Sequence, residues 1–175
     1  MALNMLVTSF FLAGQILFVI FFFFLVLAFV TGGPFVPSSR AATSTMVKLA
    51  RVRKGMRVYD LGSGDGRLIL RAAQEGAHAT GFEINPILVL YANMRSFFSP
   101  YRAIARTRWQ SLWRANLSDA DVVFVYLLPW NMNKLAVKLR SECKPGTLVV
   151  SNSFIFPKWN IVRQDKANHV YAFVI

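Results

Sequence analysis

At 175 residues, 55% hydrophobic and 14% aromatic with a net charge of +12, the chain is not one homogeneous domain: residues 1–39 hold no charged side chain, and the 20 Lys and Arg and 8 Asp and Glu all lie in residues 40–175. The apolar content excludes intrinsic disorder. With Cys143 as the only cysteine, an internal disulfide and a Cys-based zinc site are excluded too.

Residues 10–30 read FFLAGQILFVIFFFFLVLAFV, with Gln15 the one clearly polar side chain. At about 1.5 Å per residue a helix of that length spans about 31 Å, the thickness of a hydrocarbon core. A cleaved signal peptide fits less well, because no Lys or Arg precedes the run, the run is longer than an h-region, and no small-residue cleavage site follows Val30. Residues 1–31 are therefore expected to be a single transmembrane anchor, stopped by Thr31-Gly32-Gly33-Pro34. The next charges, Arg40, Lys48, Arg51, Arg53, Lys54 and Arg57, are all positive. That bias predicts a single-pass membrane protein with its soluble part on the cytoplasmic side, or on the matrix side of a mitochondrion, and with a basic stretch suited to anionic headgroups.

A linker at 32–41 leads into a domain at 42–175. Residues 42–52 are expected to form a short helix, with Thr43 or Ser44 as N-cap and Gly55 as stop. A strand is expected at 57–61, a helix at 67–75 closed by Gly76, a strand at 77–83 and a helix at 86–98 with Pro86 in its first turn. Strands at 102–109 and 121–127 follow, then a helix at 131–142. Lys144-Pro145-Gly146 turns the chain into a strand at 147–153, and segments 159–164 and 170–175 suggest an antiparallel hairpin finish. Alternating strands and helices predict an α/β fold with a doubly wound, mostly parallel, Rossmann-like sheet.

Chemistry concentrates where the first strand meets its helix, in Asp60-Leu61-Gly62-Ser63-Gly64-Asp65-Gly66-Arg67. Glycines there allow a sharp turn and close approach of a ligand to the main chain. A dinucleotide fingerprint G-x-G-x-x-G started at Gly62 would need its third glycine where Arg67 stands, so this is a different loop. Glu83 ends the second strand, 21 residues after Gly62, where a carboxylate can accept from both ribose hydroxyls of an adenosine.

The D-x-G-x-G-x-G pattern resembles motif I of the class I S-adenosylmethionine-dependent methyltransferases. Pro34-Phe35-Val36-Pro37-Ser38, a helix, DLGSGDGR and then GFEINP resemble, more narrowly, the membrane-anchored protein-lysine methyltransferases that modify the c subunit of ATP synthase and the adenine nucleotide translocase. The resemblance is close from the anchor to about Asn85 and loose beyond. It implies S-adenosylmethionine as cofactor, a seven-strand domain, and a lysine of a membrane protein as acceptor. It also implies that Asp60, Gly62, Ser63, Gly64 and Gly66 line the methionine and ribose side, Glu83 holds the ribose, Ile84 and Asn85 flank the adenine, and Pro34–Ser38 packs over the cofactor.

Two departures stand out. Where the family has an acidic residue for the adenine amino group, this chain has Ser111, so Ser111 or Gln110 is left for that contact. After the fourth strand, Tyr126-Leu127-Leu128-Pro129-Trp130-Asn131 replaces the [DN]-P-P-[YFW] of many amino-methylating enzymes. That argues against a nucleic-acid adenine methylase. It leaves Tyr126 as the expected acceptor-site residue, with Pro129 and Trp130 shaping a channel joined by Phe154, Phe156 and Trp159. A lipid, quinone or other small-molecule methyltransferase, and a non-catalytic adaptor keeping the fold, remain as alternatives. The basic charge would also suit RNA, but a membrane tether restricts access to soluble RNA, so no nucleic-acid partner is expected; no metal site is expected either, since His78 and His169 have no second ligand at metal spacing, and the sequence leaves the oligomeric state open.

Overall fold

A computed structural model describes residues 2–31 and 36–175, with side chains placed for 4–26 and 36–175. The expected stop at 32–34 and the first half of the Pro-Phe-Val-Pro-Ser motif lie outside the described residues. The chain divides into two units, Met1–Pro34 and Phe35–Ile175.

The first unit is one helix, α1 (Ala2–Thr31). It extends eight residues ahead of the apolar run at 10–30 because residues 2–9 contain no breaker, and Thr8 satisfies its hydroxyl within the helix by donating to the Asn4 carbonyl at 2.8 Å. Its stretch Asn4–Val26 is long and apolar enough to cross a membrane. At about 1.5 Å per residue those 23 residues extend about 34 Å, against a hydrocarbon core of roughly 30 Å.

The second unit runs α2 (Arg40–Ala50), β1 (Arg57–Leu61), α3 (Arg67–Gln74), β2 (His78–Glu83), α4 (Pro86–Phe97), β3 (Ala105–Trp109), a 3-10 turn (Leu112–Arg114), β4 (Val122–Val125), α5 (Pro129–Glu142), β5 (Leu148–Asn152), β6 (Arg163–Asp165) and β7 (Val170–Val174). The strands form one seven-stranded sheet in the order β3-β2-β1-β4-β5-β7-β6. Five are parallel, and β7 returns antiparallel to β5 with β6 antiparallel beside it. The expected α/β, seven-strand Rossmann-like class I methyltransferase sheet with an antiparallel C-terminal hairpin is therefore present.

The boundaries moved for local reasons. Helix α2 starts two residues early because Ser39, not Thr43 or Ser44, is its N-cap: the Ser39 hydroxyl accepts from the Ala42 amide at 3.0 Å, and Thr43 is buried with its own hydroxyl donating back to the Ser39 carbonyl. It stops at Arg51, in the left-handed region at φ 50°, rather than at Gly55. Helix α5 starts at Pro129, two residues before the expected start. Strand β3 starts at Ala105 because residues 99–104 form turns held by the Ile104 and Ala105 amides on the Tyr101 carbonyl. The expected strand at 159–164 shrinks to β6.

Each sheet face has its own core. Helices α2 and α3 cover one through Met46, Val47, Ile69 and Ala72 against Val58, Phe124 and Val150. The other is closed by Met132, Leu135 and Leu139 of α5, by Leu112 and Leu117, and by Phe156 stacked on Trp159 and edge-on to Phe173. Strand order reverses between β1 and β4, so the crevice at a topological switch point opens over their carboxyl ends.

Candidate active site

Asp60 and Glu83 come from neighbouring parallel strands, with Asp60 paired in register with Gly81 and Leu61 with Phe82. The chain leaves β1 by a hooked loop in which Gly62, Gly64 and Gly66 all have positive φ, at 87°, 53° and 74°. The Gly62 and Ser63 amides both donate to the Phe82 carbonyl, which fastens the loop to the end of β2. A Cβ at Gly62 would meet nothing within 4 Å, so this glycine faces open space in the crevice. Gly66 does different work: a Cβ there would lie 2.9 Å from that of Ala92, so this glycine lets the loop and α3 pack against α4. Of the three glycines expected to line a cofactor, Gly66 thus faces the protein.

The loop also needs Gly81, which the sequence reading passed over. Ser63 is buried and its side chain occupies the place a Cβ on Gly81 would take. A small residue in the middle of β2 is the one sequence signal of this contact.

Glu83 is buried and its carboxylate is pinned by three backbone amides: Gly64 donates to Oε2 at 2.9 Å, and Ile84 and Asn85 donate to Oε1 at 2.8 and 2.9 Å. A carboxylate offers about four acceptor positions, so one remains for a ligand hydroxyl. The Asn85 side chain is engaged as the N-cap of α4, accepting from Ile87 and Leu88, so toward an adenine this position offers its backbone. Ser111 caps the 3-10 turn, accepting from the Trp113 amide, while the Gln110 amide donates to the Glu83 carbonyl and its side chain donates to the Arg114 carbonyl. Both candidates for the adenine contact therefore sit beside Glu83 with their hydroxyl or amide already engaged in the turn.

Asp60 is the outlier. It is 5% exposed, and among the described residues no donor reaches its carboxyl. Burial first, and then the negative charges of Glu83 and Asp65, push its pKa up to about 8. Asp65 is different: burial would raise it, but hydrogen bonds and charge from Arg67 and the charge of Arg95 hold it below the usual carboxylate range. A buried carboxyl without a partner, next to a pinned one, calls for a cationic ligand. S-adenosylmethionine, with its sulfonium and ammonium, a ribose and a flat base, fits this set of donors and acceptors.

The described part of the pre-domain motif docks here as well. Arg67 donates from one guanidinium nitrogen to the Ser38 carbonyl at 2.7 Å while its fork holds Asp65, and Asn152 at the end of β5 donates to the Ser38 hydroxyl at 3.0 Å. Ser38 therefore ties the entry of the domain to the loops after β1 and β5. Arg67 and Asn152 were not among the expected site residues; a buried amide at the end of an otherwise apolar strand was the available signal.

Tyr126 follows β4 and is half-buried, stacked with Phe154 after β5 at 6.4 Å between ring centres and 25° between planes. Pro129 and Trp130 open α5, both exposed, and Trp130 has no ring partner among the described residues. The expected five-ring channel separates into two groups. Tyr126 and Phe154 stand at the carboxyl edge of the sheet, whereas Phe156 is fully buried with Trp159 and Phe173 in the core. Core packing claimed Phe156 because its aromatic neighbours lie on the covered face of the sheet.

The chain is similar to known methyltransferases. A mouse (Mus musculus) lysine N-methyltransferase of the ATP synthase c subunit is 36% identical over 126 residues, covering 72% of this chain and 51% of that protein. A protein-lysine N-methyltransferase of Saccharolobus islandicus is 35% identical over 158 residues, 85% of this chain and 98% of that one. The crystal structure of an RNA methyltransferase from Salinibacter ruber in complex with S-adenosyl-L-homocysteine superposes with a TM-score of 0.77 at 37% identity, over 80% of this chain and 94% of that chain. The chain spans about half the length of the vertebrate ATP synthase methyltransferases it matches. A family model, the ANTKMT methyltransferase domain, matches residues 60–163, from the orphaned carboxyl of Asp60 through the hooked loop and Glu83 to the start of β6, and the chain belongs to that family.

Proposed function

We propose that the chain is a membrane-anchored, S-adenosylmethionine-dependent protein-lysine N-methyltransferase that acts on a lysine of a membrane protein, with residues 1–31 as anchor, 32–41 as linker and 42–175 as the methyltransferase domain. The observation that carries the lysine reading is the match to a protein-lysine N-methyltransferase along 98% of that protein's length. The span Asn4–Val26 supports the membrane part.

The cofactor supplies an electrophilic methyl group on a sulfonium. Everything else falls to the chain. Asp60 supplies the counter-charge for a bound cation, Glu83 the remaining acceptor for a ribose hydroxyl, and Gly62 the open backbone against which a ligand can lie. Transfer by in-line displacement needs mainly position and dehydration of the acceptor. A lysine must also lose its proton, which from a reference pKa of about 10.4 costs about 4 kcal/mol at pH near 7.4. The half-buried Tyr126 and Phe154 rings give an apolar wall that disfavours an ammonium, and the surrounding net charge of +12 acts in the same direction. Tyr126 sits where the amine would be held, with Pro129 and Trp130 at the mouth.

The test is to incubate the full chain with methyl-labelled S-adenosylmethionine and membranes of the source cells, with Asp60→Asn as control. Label recovered as methyl-lysine in a protein band is the expected result. Label in the organic extract would replace this reading with a lipid or quinone methyltransferase, and label in RNA would replace it with the activity named for the Salinibacter ruber protein. Cofactor binding without transfer to any fraction would leave the fold as a non-catalytic adaptor.

A further inference from the structure

The chain leaves β5 through strained backbone. The Phe154 amide donates to the Asn152 carbonyl at 2.9 Å, and Ser153 between them has a φ of 67°. This is the γ-turn with a positive central φ, a rare and strained conformation. Serine is a poor residue for it, since glycine is the one that adopts positive φ without steric cost. Strain of this kind persists only where the surroundings fix it. Here the Ser153 amide donates to the His169 carbonyl at 2.7 Å, and its hydroxyl donates to the Asn152 Oδ1 at 3.1 Å. Ser153 is itself exposed, so hydrogen bonds rather than packing hold the turn.

The turn aims Phe154. It brings that ring to Tyr126 after β4, where the two stack at 6.4 Å between ring centres. Asn152 stands at the junction, buried at the end of β5. Its side-chain nitrogen donates to the Ser38 hydroxyl at 3.0 Å, while its Oδ1 and its backbone carbonyl hold the two residues of the turn. The Ser38 carbonyl is held in turn by Arg67, whose fork grips Asp65 in the glycine loop. A hydrogen-bonded path therefore runs from the glycine loop through Arg67, Ser38 and Asn152 to the backbone of Phe154. An amide suits this junction because it donates on one side and accepts on the other. Being neutral, it also offers an arriving ammonium no ion pair.

We infer that Asn152 is a positioning residue for methyl transfer: it holds the strained turn at Ser153, which sets the Phe154 ring against Tyr126, and its bond to Ser38 makes that wall depend on the docked entry segment. This deepens the lysine methyltransferase reading above and rests on it. With Ser38 displaced, the Asn152 amide loses its anchor, the Ser153 hydroxyl is released, and the turn relaxes with Phe154 drawn away from Tyr126. The apolar wall for the amine is then complete only while the entry segment is seated against the glycine loop.

The experiment uses the full chain in detergent micelles, with methyl-labelled S-adenosylmethionine and membranes of the source cells. Methyl-lysine formed by the parent chain tests the lysine reading by itself; if none forms, that reading fails and takes this inference with it. Ser153→Val, whose β-branched side chain disfavours positive φ, should slow transfer at least about tenfold, with the KM for S-adenosylmethionine within about threefold of the parent. Ser153→Gly loses the hydroxyl but adopts the turn without strain, and should be far faster than Ser153→Val. Asn152→Ala and Ser38→Ala should slow transfer without a matching loss of cofactor affinity. Fluorine NMR of the chain labelled with fluorotyrosine, with the Tyr126 signal assigned through Tyr126→Phe, reads the wall without turnover. That signal should shift in Ser153→Val, Asn152→Ala and Ser38→Ala, while those of Tyr59, Tyr91 and Tyr101 stay in place. A Tyr126 signal unmoved in folded Asn152→Ala or Ser153→Val overturns the inference, and one unmoved in Ser38→Ala overturns the dependence on the entry segment. Rate losses matched by equal losses of cofactor affinity would assign Asn152 a merely structural role.

Discussion

Asp60→Asn is expected to stabilise the ligand-free protein while weakening cofactor binding. The Asp60 carboxyl is buried with no donor among the described residues, and burial with the charges of Glu83 and Asp65 pushes its pKa up to about 8, against about 3.9 in an unfolded chain. A carboxyl raised in this way makes the native state the better proton binder between about pH 4 and pH 8, so stability falls as pH rises through that window and levels off above it. With about 1.36 kcal/mol per unit, the penalty is on the order of 1–2 kcal/mol at pH 5 and on the order of 4 kcal/mol at pH 7.4, where most of the shift has been spent. Asparagine has no charge to desolvate, so the variant should gain a large part of that amount at pH 7.4 and little at pH 5. Denaturant unfolding followed by tryptophan fluorescence reads this unit alone, because Trp109, Trp113, Trp130 and Trp159 all lie in it. Isothermal titration with S-adenosylmethionine at the same pH should show affinity weakened about 100-fold, the loss of a charge-assisted contact to a buried partner worth about 3 kcal/mol. A variant that is no more stable than the parent at pH 7.4, or whose gain does not grow from pH 5 to pH 7.4, would refute the assignment of Asp60 as an uncompensated acid awaiting a cation.

Glu83 should behave in the opposite way: Glu83→Ala strands the amides of Gly64, Ile84 and Asn85 and is expected to cost about 2–4 kcal/mol of stability, with Glu83→Gln closer to the parent in the same unfolding assay. Gly81→Ala should cost about 1–3 kcal/mol and weaken cofactor binding by displacing Ser63, and Ser63→Gly added to it should recover part of the stability. Tyr126→Phe should keep most of the methyl-transfer rate and Tyr126→Ala should lower kcat by at least about tenfold with cofactor affinity unchanged, measured with methyl-labelled cofactor; equal losses in both variants would point instead to the hydroxyl.

Periodicity made the framework readable. The alternation of β-branched runs with amphipathic stretches located all seven strands and the helices between them, because those patterns report which face is buried, and burial is what each element does in the fold. Tertiary partners decided what periodicity could not. Ser39 outcompeted Thr43 and Ser44 as a cap because Thr43 is drawn into the core. Gly66 reads in sequence like Gly62, yet one meets Ala92 and the other open space, a difference that exists only once α4 is laid against α3. Phe156 and Phe154 are two residues apart and part company for the same reason: the first is buried beneath Trp159 and Phe173, and the second turns to Tyr126 at the crevice.

The distribution of charge links these details to the reaction. In a chain of net charge +12 the crevice gathers three carboxylates, and each is compensated differently: Asp65 by Arg67 and Arg95, Glu83 by backbone amides, and Asp60 by nothing within the described protein. An arriving lysine ammonium would find Asp60 the best partner in the crevice, and paired there it would stay protonated and inert as a nucleophile. A cationic cofactor that takes Asp60 first removes that trap. In the proposed reaction the amine then meets the Tyr126–Phe154 wall, where apolar contact favours its neutral form. On the proposed function, leaving one acid uncompensated costs folding stability and in return reserves that site for the methyl donor rather than the acceptor.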